Sequence, residues 1–335
     1  MFNLPFFVFL RQDKWVNFYS LLLKQTKYEL YILSIMKLFN SLLTATVPFL
    51  PKWMVRPFAL PYVAGETIDE ALETAESVIR QGFSVTMDIL GEHTPDIKFS
   101  HKITDDYCSL YNLITQKNLD CTISLKLTHL GLDVSKELAV DNLNKIIESA
   151  RAGNLGLTID MENSFYISQT LNMYKTALMS YENTGTVLQA YLHRSMDDLK
   201  QIMSPKLRLR ICKGIYLEDE KIAFQNGKQI NQNYIALCQT LLEGDGFAEI
   251  ATHDTELIHH LDQWISENYI PMDRFEFQVL HGVPMGNTLE KLKDKGYRVR
   301  VYIPFGDKWY EYSIRRLKEN PNIASYVLKN MFKRN

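Results

Sequence analysis

The chain has 335 residues, and 37 Lys+Arg against 39 Asp+Glu give a formal net charge of -2 at pH 7. That balance supplies no basic field for a polyanion, so nucleic acid is not read as a partner. A hydrophobic share of 46% with 23% charged residues excludes a disordered chain, and the length suits two ordinary domains or one α/β barrel.

The first 60 residues are rich in aromatic and aliphatic side chains, in runs at 6–10, 28–36 and 38–50. Arg11 ends the first run, and Lys37 and Pro51-Lys52 bracket the last. None reaches the roughly 20 apolar residues that cross a bilayer, and no secretory signal is read. These residues are expected to be helices that pack on the main domain, with a membrane-touching amphipathic surface as the alternative. Met36 is a second candidate start. A helix is expected from Thr67 or Asp69 through Ile79.

From residue 82 onward, short apolar runs alternate with longer amphipathic stretches. The runs are 84–90, 122–127, 157–161, 187–192, 207–212, 248–252, 275–280 and 298–303. Each is four to seven residues long and rich in Val, Ile, Leu, Phe and Thr, as buried strands are. Helical spacing fills the intervals. The stretch 138–152 carries Val140, Leu143, Ile146, Ile147 and Ala150 on one face and stops at Gly153. Stretches 167–180, 221–242 and 309–332 read similarly. Strand then helix, eight times, predicts an α/β fold of the (βα)8 barrel type, with an open doubly wound sheet as the alternative. Residues 1–80 are expected to be an N-terminal helical segment and 81–335 the barrel. Neither GxGxxG nor GxxxxGK[ST] occurs, so no Rossmann or P-loop nucleotide site is read.

In such a barrel the chemistry sits where strands end. The polar residues at those ends are Asp88, Lys126, Asp160, Glu162, Gln189, Arg210, Lys213, Thr252, His253, Asp254, His281 and Tyr302. Singly they have plain structural readings: a helix cap for Asp88, an ion pair for Lys126 and Asp160, an N-cap for Asp254. Together they predict a charged, partly buried pocket. On the last helix Tyr312 stands three and four residues before Arg315 and Arg316, and Glu319 stands four after Arg315. An arginine pair suits either a carboxylate or a solvated basic patch. HExxH is absent and the adjacent His259-His260 are poorly placed to share one ion, so no metal site is read. The cysteines Cys108, Cys121, Cys212 and Cys238 fall in no paired spacing, which predicts four buried thiols in a reducing, cytoplasmic setting.

An ordered set of strings then stands out: Ser124-Leu125-Lys126-Leu127, Ile159-Asp160-Met161-Glu162, Leu188-Gln189-Ala190-Tyr191, Arg210-Ile211-Cys212-Lys213-Gly214-Ile215-Tyr216, Ala251-Thr252-His253-Asp254, Phe275-Glu276-Phe277-Gln278, Tyr302-Ile303-Pro304-Phe305-Gly306, and residues 312–319. In order and spacing the set resembles the proline dehydrogenase family over residues 60–335. Cys212 and Ile215 depart from it, both at positions that tolerate apolar residues. The resemblance implies a distorted barrel with its last helix over the mouth, non-covalent FAD, and oxidation of L-proline to Δ1-pyrroline-5-carboxylate. It further implies that Arg315, Arg316 and Lys126 bind the substrate carboxylate and that Glu319 holds Arg315. Tyr302, Tyr312 and Tyr216 would pack at the substrate ring. Asp160 and Arg210 match catalytic positions. Met161, Gln189, Arg210, Lys213, Gly214, Ile215, Thr252 and His253 match flavin contacts. A quinone is the implied electron acceptor, which gives the apolar amino terminus a role as a peripheral membrane contact. A separate pyrroline-5-carboxylate dehydrogenase would act next. The competing functions are oxidation of another cyclic amino acid, such as hydroxyproline, and a non-catalytic amino-acid-binding barrel.

Overall fold

All eight expected strands form. They are β1 (Ser84–Ile89), β2 (Cys121–Leu125), β3 (Leu157–Ile159), β4 (Thr184–Gln189), β5 (Arg208–Cys212), β6 (Phe247–Ala251), β7 (Phe275–Leu280) and β8 (Val299–Phe305). They are parallel, neighbours in chain order pair, and β8 returns to β1, so the sheet is a closed barrel rather than an open one. The computed structural model describes Lys52, Val55, Arg56 and residues 61–319, with side chains as far as Ile314. Residues 59–312 make one compact unit that holds every strand among the described residues. The apolar runs expected before residue 51 lie outside the described residues.

Nine helices occur among the described residues: α1 (Ile68–Arg80), α2 (Ile97–Lys117), α3 (Lys136–Ala152), α4 (Ile167–Ser180), α5 (Ser195–Ile202), α6 (Gly227–Glu243), α7 (Thr255–Glu267), α8 (Thr288–Asp294) and α9 (Trp309–Glu319). Their starts are written in the sequence. Thr67 and Glu70 form a reciprocal capping box on α1. Asp96, Ser135 and Asp254 accept backbone N–H groups at the starts of α2, α3 and α7. Gly153 closes α3 as expected. The helix expected from residue 221 begins only at Gly227, because Asn226 caps it, residues 220–222 form a turn and Ala223 bridges to Leu192 instead. No helix among the described residues is long and apolar enough to cross a membrane. Two of the four thiols, Cys121 and Cys238, are buried; Cys108 and Cys212 are only half-buried, which corrects the expectation of four, and none of the four forms a disulfide.

Most of the strands alternate. Val85, Met87, Ile123, Leu125, Leu209, Ile211, Ile250, Phe277, Val299 and Ile303 join one apolar cluster with helix residues such as Tyr107, Ile146 and Leu261. Fully burying a side chain of this size contributes about 1.5–3 kcal/mol. The residues between them are polar. They bond across the barrel to strands that are not their neighbours, as Arg210 on β5 does to Ser124 on β2, so they face the lumen.

The fourth strand starts at Thr184, three residues before the expected run. Gly185 breaks the apolar signal there. A Cβ at Gly185 would sit 3.1 Å from the Arg208 carbonyl oxygen, a tight contact with β5 that a glycine relieves. Helix α1, within the expected 1–80 segment, packs on β1 and β8. Residues 61–65 cross the carboxyl end of β8: Ala64 N donates to Pro304 O at 2.9 Å, and Gly306 N donates to Gly65 O at 3.0 Å. Gly282 lies under this crossing with φ of 76°, and a Cβ there would meet Pro61 O at 1.6 Å.

Candidate active site

The lumen is built from charges rather than from the branched apolar layers common in such barrels. At its centre Asp160 Oδ1 accepts from Ser124 Oγ at 2.6 Å and from Arg210 Nη1 at 2.6 Å. Its other oxygen accepts from the Tyr302 hydroxyl at 3.0 Å, with Lys126 Nζ at 3.9 Å. Lys126 donates to Asp88 Oδ2 at 3.2 Å. The Arg210 guanidinium also stands over the Tyr302 ring, 5.1 Å from its centroid. Thus Lys126, Asp160, Arg210 and Tyr302, predicted separately from strand ends, share one cluster with Asp88. Asp88 serves as the partner of Lys126, not as a helix cap.

The electrostatics follow from this pairing. Burial works against the charged forms of Arg210 and Lys126, but Asp160 with Glu249 for the first, and Asp88 with Asp160 for the second, outweigh it and hold both cations charged. Burial, and then the negative charges of Asp160 and Asp88, push the Tyr302 hydroxyl well above its ordinary range, so it stays a donor.

One layer down lie residues that the strand-end search missed. Gln278 Nε2 donates to Glu249 Oε2 and to Glu276 Oε1, both at 2.7 Å. Arg208 donates to Glu249 at 3.0 Å and Arg300 to Glu276 at 2.6 Å. Burial would raise the Glu249 carboxyl, but Arg208, Arg210 and Arg300 bring it below its ordinary value. Ion pairs this deep persist only because each charge is compensated; removing one partner would leave the other stranded.

A second set gathers where β4 to β7 end. Gln189, 1% exposed, donates to Glu162 O at 2.8 Å. Lys213 pairs with Asp254 Oδ2 at 2.7 Å. Gly214 turns with φ of 105°, and Ile215 beside it is exposed. The Thr252 hydroxyl accepts from Asp254 N at 3.1 Å, and His253 Nε2 accepts from Leu280 N at 2.8 Å. Met161, after β3, is buried. The Tyr216 hydroxyl donates to Glu92 Oε2 at 3.3 Å. Tyr312 on α9 is buried. Arg315, Arg316 and Glu319 belong to the same helix, but their side chains lie outside the described residues.

Near the β1 and β3 ends, Glu92, His93 and Glu162 offer ligand atoms within 4.8 Å of one another. Both Glu162 oxygens accept from Thr128, at 3.1 and 2.5 Å, and His93 Nδ1 stands 2.7 Å from Asp133 Oδ2. The group therefore reads as a web that ties loops together, and no metal is assigned to it.

The family model described as proline dehydrogenase matches residues 71–329. The chain belongs to the proline dehydrogenase family. Proline dehydrogenase 1 of Bacillus subtilis (strain 168) is 35% identical over 297 residues, 89% of this chain and 98% of that protein. The proline dehydrogenase of Deinococcus radiodurans is 31% identical over 277 residues, 81% of this chain and 89% of that protein. In fold, the chain is similar to proline utilization A (PutA) from Bdellovibrio bacteriovorus inactivated by N-propargylglycine, with a TM-score of 0.73 at 24% identity. That match covers 79% of this chain and 33% of the longer protein. As a proline dehydrogenase, the enzyme oxidises proline in proline catabolism and is flavin-dependent. The site suits such a cofactor. Arg210 is 6% exposed, and its Nη2 has no hydrogen-bond partner among the described residues, so a buried guanidinium N–H pair is left to serve an acceptor.

Proposed function

We propose that the cofactor is FAD, held non-covalently by Met161, Gln189, Arg210, Lys213, Gly214, Ile215, Thr252 and His253, and that L-proline is oxidised to Δ1-pyrroline-5-carboxylate. The observation that carries this is Arg210: three of its N–H groups are taken by Gln278, Asp160 and Ser124, and Nη2 is offered to a further acceptor. When bound, FAD supplies the hydride acceptor. The chain supplies orientation and charge. Lys126, with Arg315 and Arg316, holds the substrate carboxylate, and Glu319 holds Arg315. Tyr302, Tyr312 and Tyr216 wall the ring and keep water out. Asp160 already accepts three hydrogen bonds, so its part is to anchor Arg210, Tyr302 and Lys126 rather than to take a proton from the amine.

The visible absorption of the purified protein, before and after anaerobic L-proline, tests this proposal. A flavin spectrum that bleaches supports cofactor, substrate and reaction together. A flavin spectrum that proline leaves unchanged moves the substrate to another amine, and no flavin after reconstitution with FAD overturns the assignment. Electrons are then proposed to pass to a quinone, with the apolar residues before 60 as the peripheral membrane contact, and a separate dehydrogenase to consume the product. Removing residues 1–35 should lower membrane association and quinone turnover; unchanged values would refute that role.

A further inference from the structure

Gln278 lies on β7, 3% exposed, where sequence reasoning assigned it no role. An amide has one acceptor oxygen and one donor nitrogen with two N–H groups. Here both N–H groups are spoken for: Nε2 stands 2.7 Å from Glu249 Oε2 and 2.7 Å from Glu276 Oε1. A flipped amide would aim its oxygen at two carboxylates and its N–H groups at a guanidinium, so the orientation is dictated. The oxygen therefore faces Arg210 Nε at 2.8 Å. The two carboxylates are held in turn by Arg208 and Arg300, and Arg300 Nη1 donates to the Val85 carbonyl at 2.7 Å. Arg210 is gripped at Nε by Gln278 and at Nη1 by Asp160 and Ser124, which leaves Nη2 as its one nitrogen without a partner among the described residues.

We infer that Gln278 is a positioning residue: its amide, polarised by Glu249 and Glu276, sets the plane and roll of the Arg210 guanidinium, so that Nη2 is the nitrogen presented to the flavin. The inference rests on the flavin assignment above. A rigidly aimed cation beside a cofactor favours the form that carries more negative charge, because the dipoles need no reorganisation when that charge appears. Gln278 touches neither substrate nor cofactor in this scheme. It acts through Arg210 alone.

The test compares the flavin midpoint potential, measured by spectroelectrochemistry, in the FAD-loaded full-length protein and its variants. The variants are Gln278→Met, Gln278→Glu, Arg210→Lys and the double variant Gln278→Met/Arg210→Lys. Gln278→Met keeps the volume, and Gln278→Glu keeps the shape and tests folding tolerance independently. Gln278→Met should lower the reduced-to-oxidised ratio at fixed poise about tenfold, or about 30 mV for a two-electron couple. Gln278→Glu, with a third carboxylate, should lower it further. The double variant should match Arg210→Lys alone, since the effect runs through one side chain. Wild type that holds no flavin sinks this inference together with the cofactor assignment. Wild type with a normal flavin, and Gln278 variants whose potential is unmoved or adds to that of Arg210→Lys, overturns the role of Gln278 only. If Gln278→Met does not fold, Gln278→Leu takes its place in the same comparison with Arg210→Lys.

Discussion

Asp160, the residue after β3, and Arg210 on β5 meet at 2.6 Å inside the barrel, with the whole of β4 between them. The bond crosses the lumen. It ties one wall to another while holding the guanidinium from which the cofactor contact is proposed. Asp160→Ala should therefore act on two levels. Stability should fall by about 3–5 kcal/mol, because Arg210 and Lys126 stay buried without their shared counter-charge. Proline turnover should fall at least about 10²-fold, because the cations lose their alignment. Denaturant titration and steady-state rates measure the two. Asp160→Asn, which keeps the shape, should recover part of the stability and little of the rate.

Tyr302 separates a hydroxyl effect from a ring effect. Tyr302→Phe removes the 3.0 Å bond to Asp160 and keeps the ring under Arg210. Its stability should change by no more than about 1.5 kcal/mol. Its kcat/KM for proline should fall about tenfold, equivalent to about 1.4 kcal/mol of transition-state binding. Tyr302→Ala, which also deletes the ring, should fall much further; equal losses in the two variants would remove the ring from the site.

Gly214 turns the chain after β5 with φ of 105°, and a Cβ there would lie 2.1 Å from Cδ1 of buried Tyr191. Gly214→Ala should displace the loop that carries Lys213 and Ile215. The strain is on the order of 1–3 kcal/mol. Titration of the apoprotein with FAD should show at least about tenfold weaker binding, and wild-type affinity would place the cofactor elsewhere.

His93 makes one pH-dependent contribution to stability. Burial disfavours its imidazolium, but the bond and charge of Asp133, with Glu162 and Glu92, outweigh that and raise its pKa. The contribution to stability is thus complete below the free-histidine value, near about 6.5, and is lost as pH rises through the higher folded value. The Tm gap between wild type and His93→Gln should be widest near about pH 6 and should close at alkaline pH. A gap that widens with pH would mean the proton is held elsewhere. The pair is half-exposed, so added salt should also narrow the gap.

The barrel was legible because eight short apolar runs, each followed by an amphipathic stretch, leave few other folds, and α1 and α7 carry caps that the sequence shows at Thr67 and Asp254. The fourth strand slipped by three residues because Gly185 interrupts its hydrophobic signal. The upper site was legible as polar strand ends. The lower layer was missed, although its signal was present. Arg208, Glu276 and Arg300 stand two residues before Arg210, Gln278 and Tyr302 on the same strands, with Leu209, Phe277 and Val301 between them. A period-two search for polar positions, rather than a search of the tips, would have found all three. The arginine pair on α9 was proposed from spacing and resemblance alone, and its side chains lie outside the described residues.

The seam between β1 and β8 has a consequence for synthesis on the ribosome. Six residues of β1, from Ser84 to Ile89, find their partners between Arg300 and Phe305, and the Arg300 guanidinium binds the carbonyl of Val85. A nascent chain emerging from the amino terminus therefore carries an unpaired β1 edge until more than two hundred further residues have been translated. Truncations just before β8 should be far more prone to aggregate and to proteolysis than their small loss of length suggests.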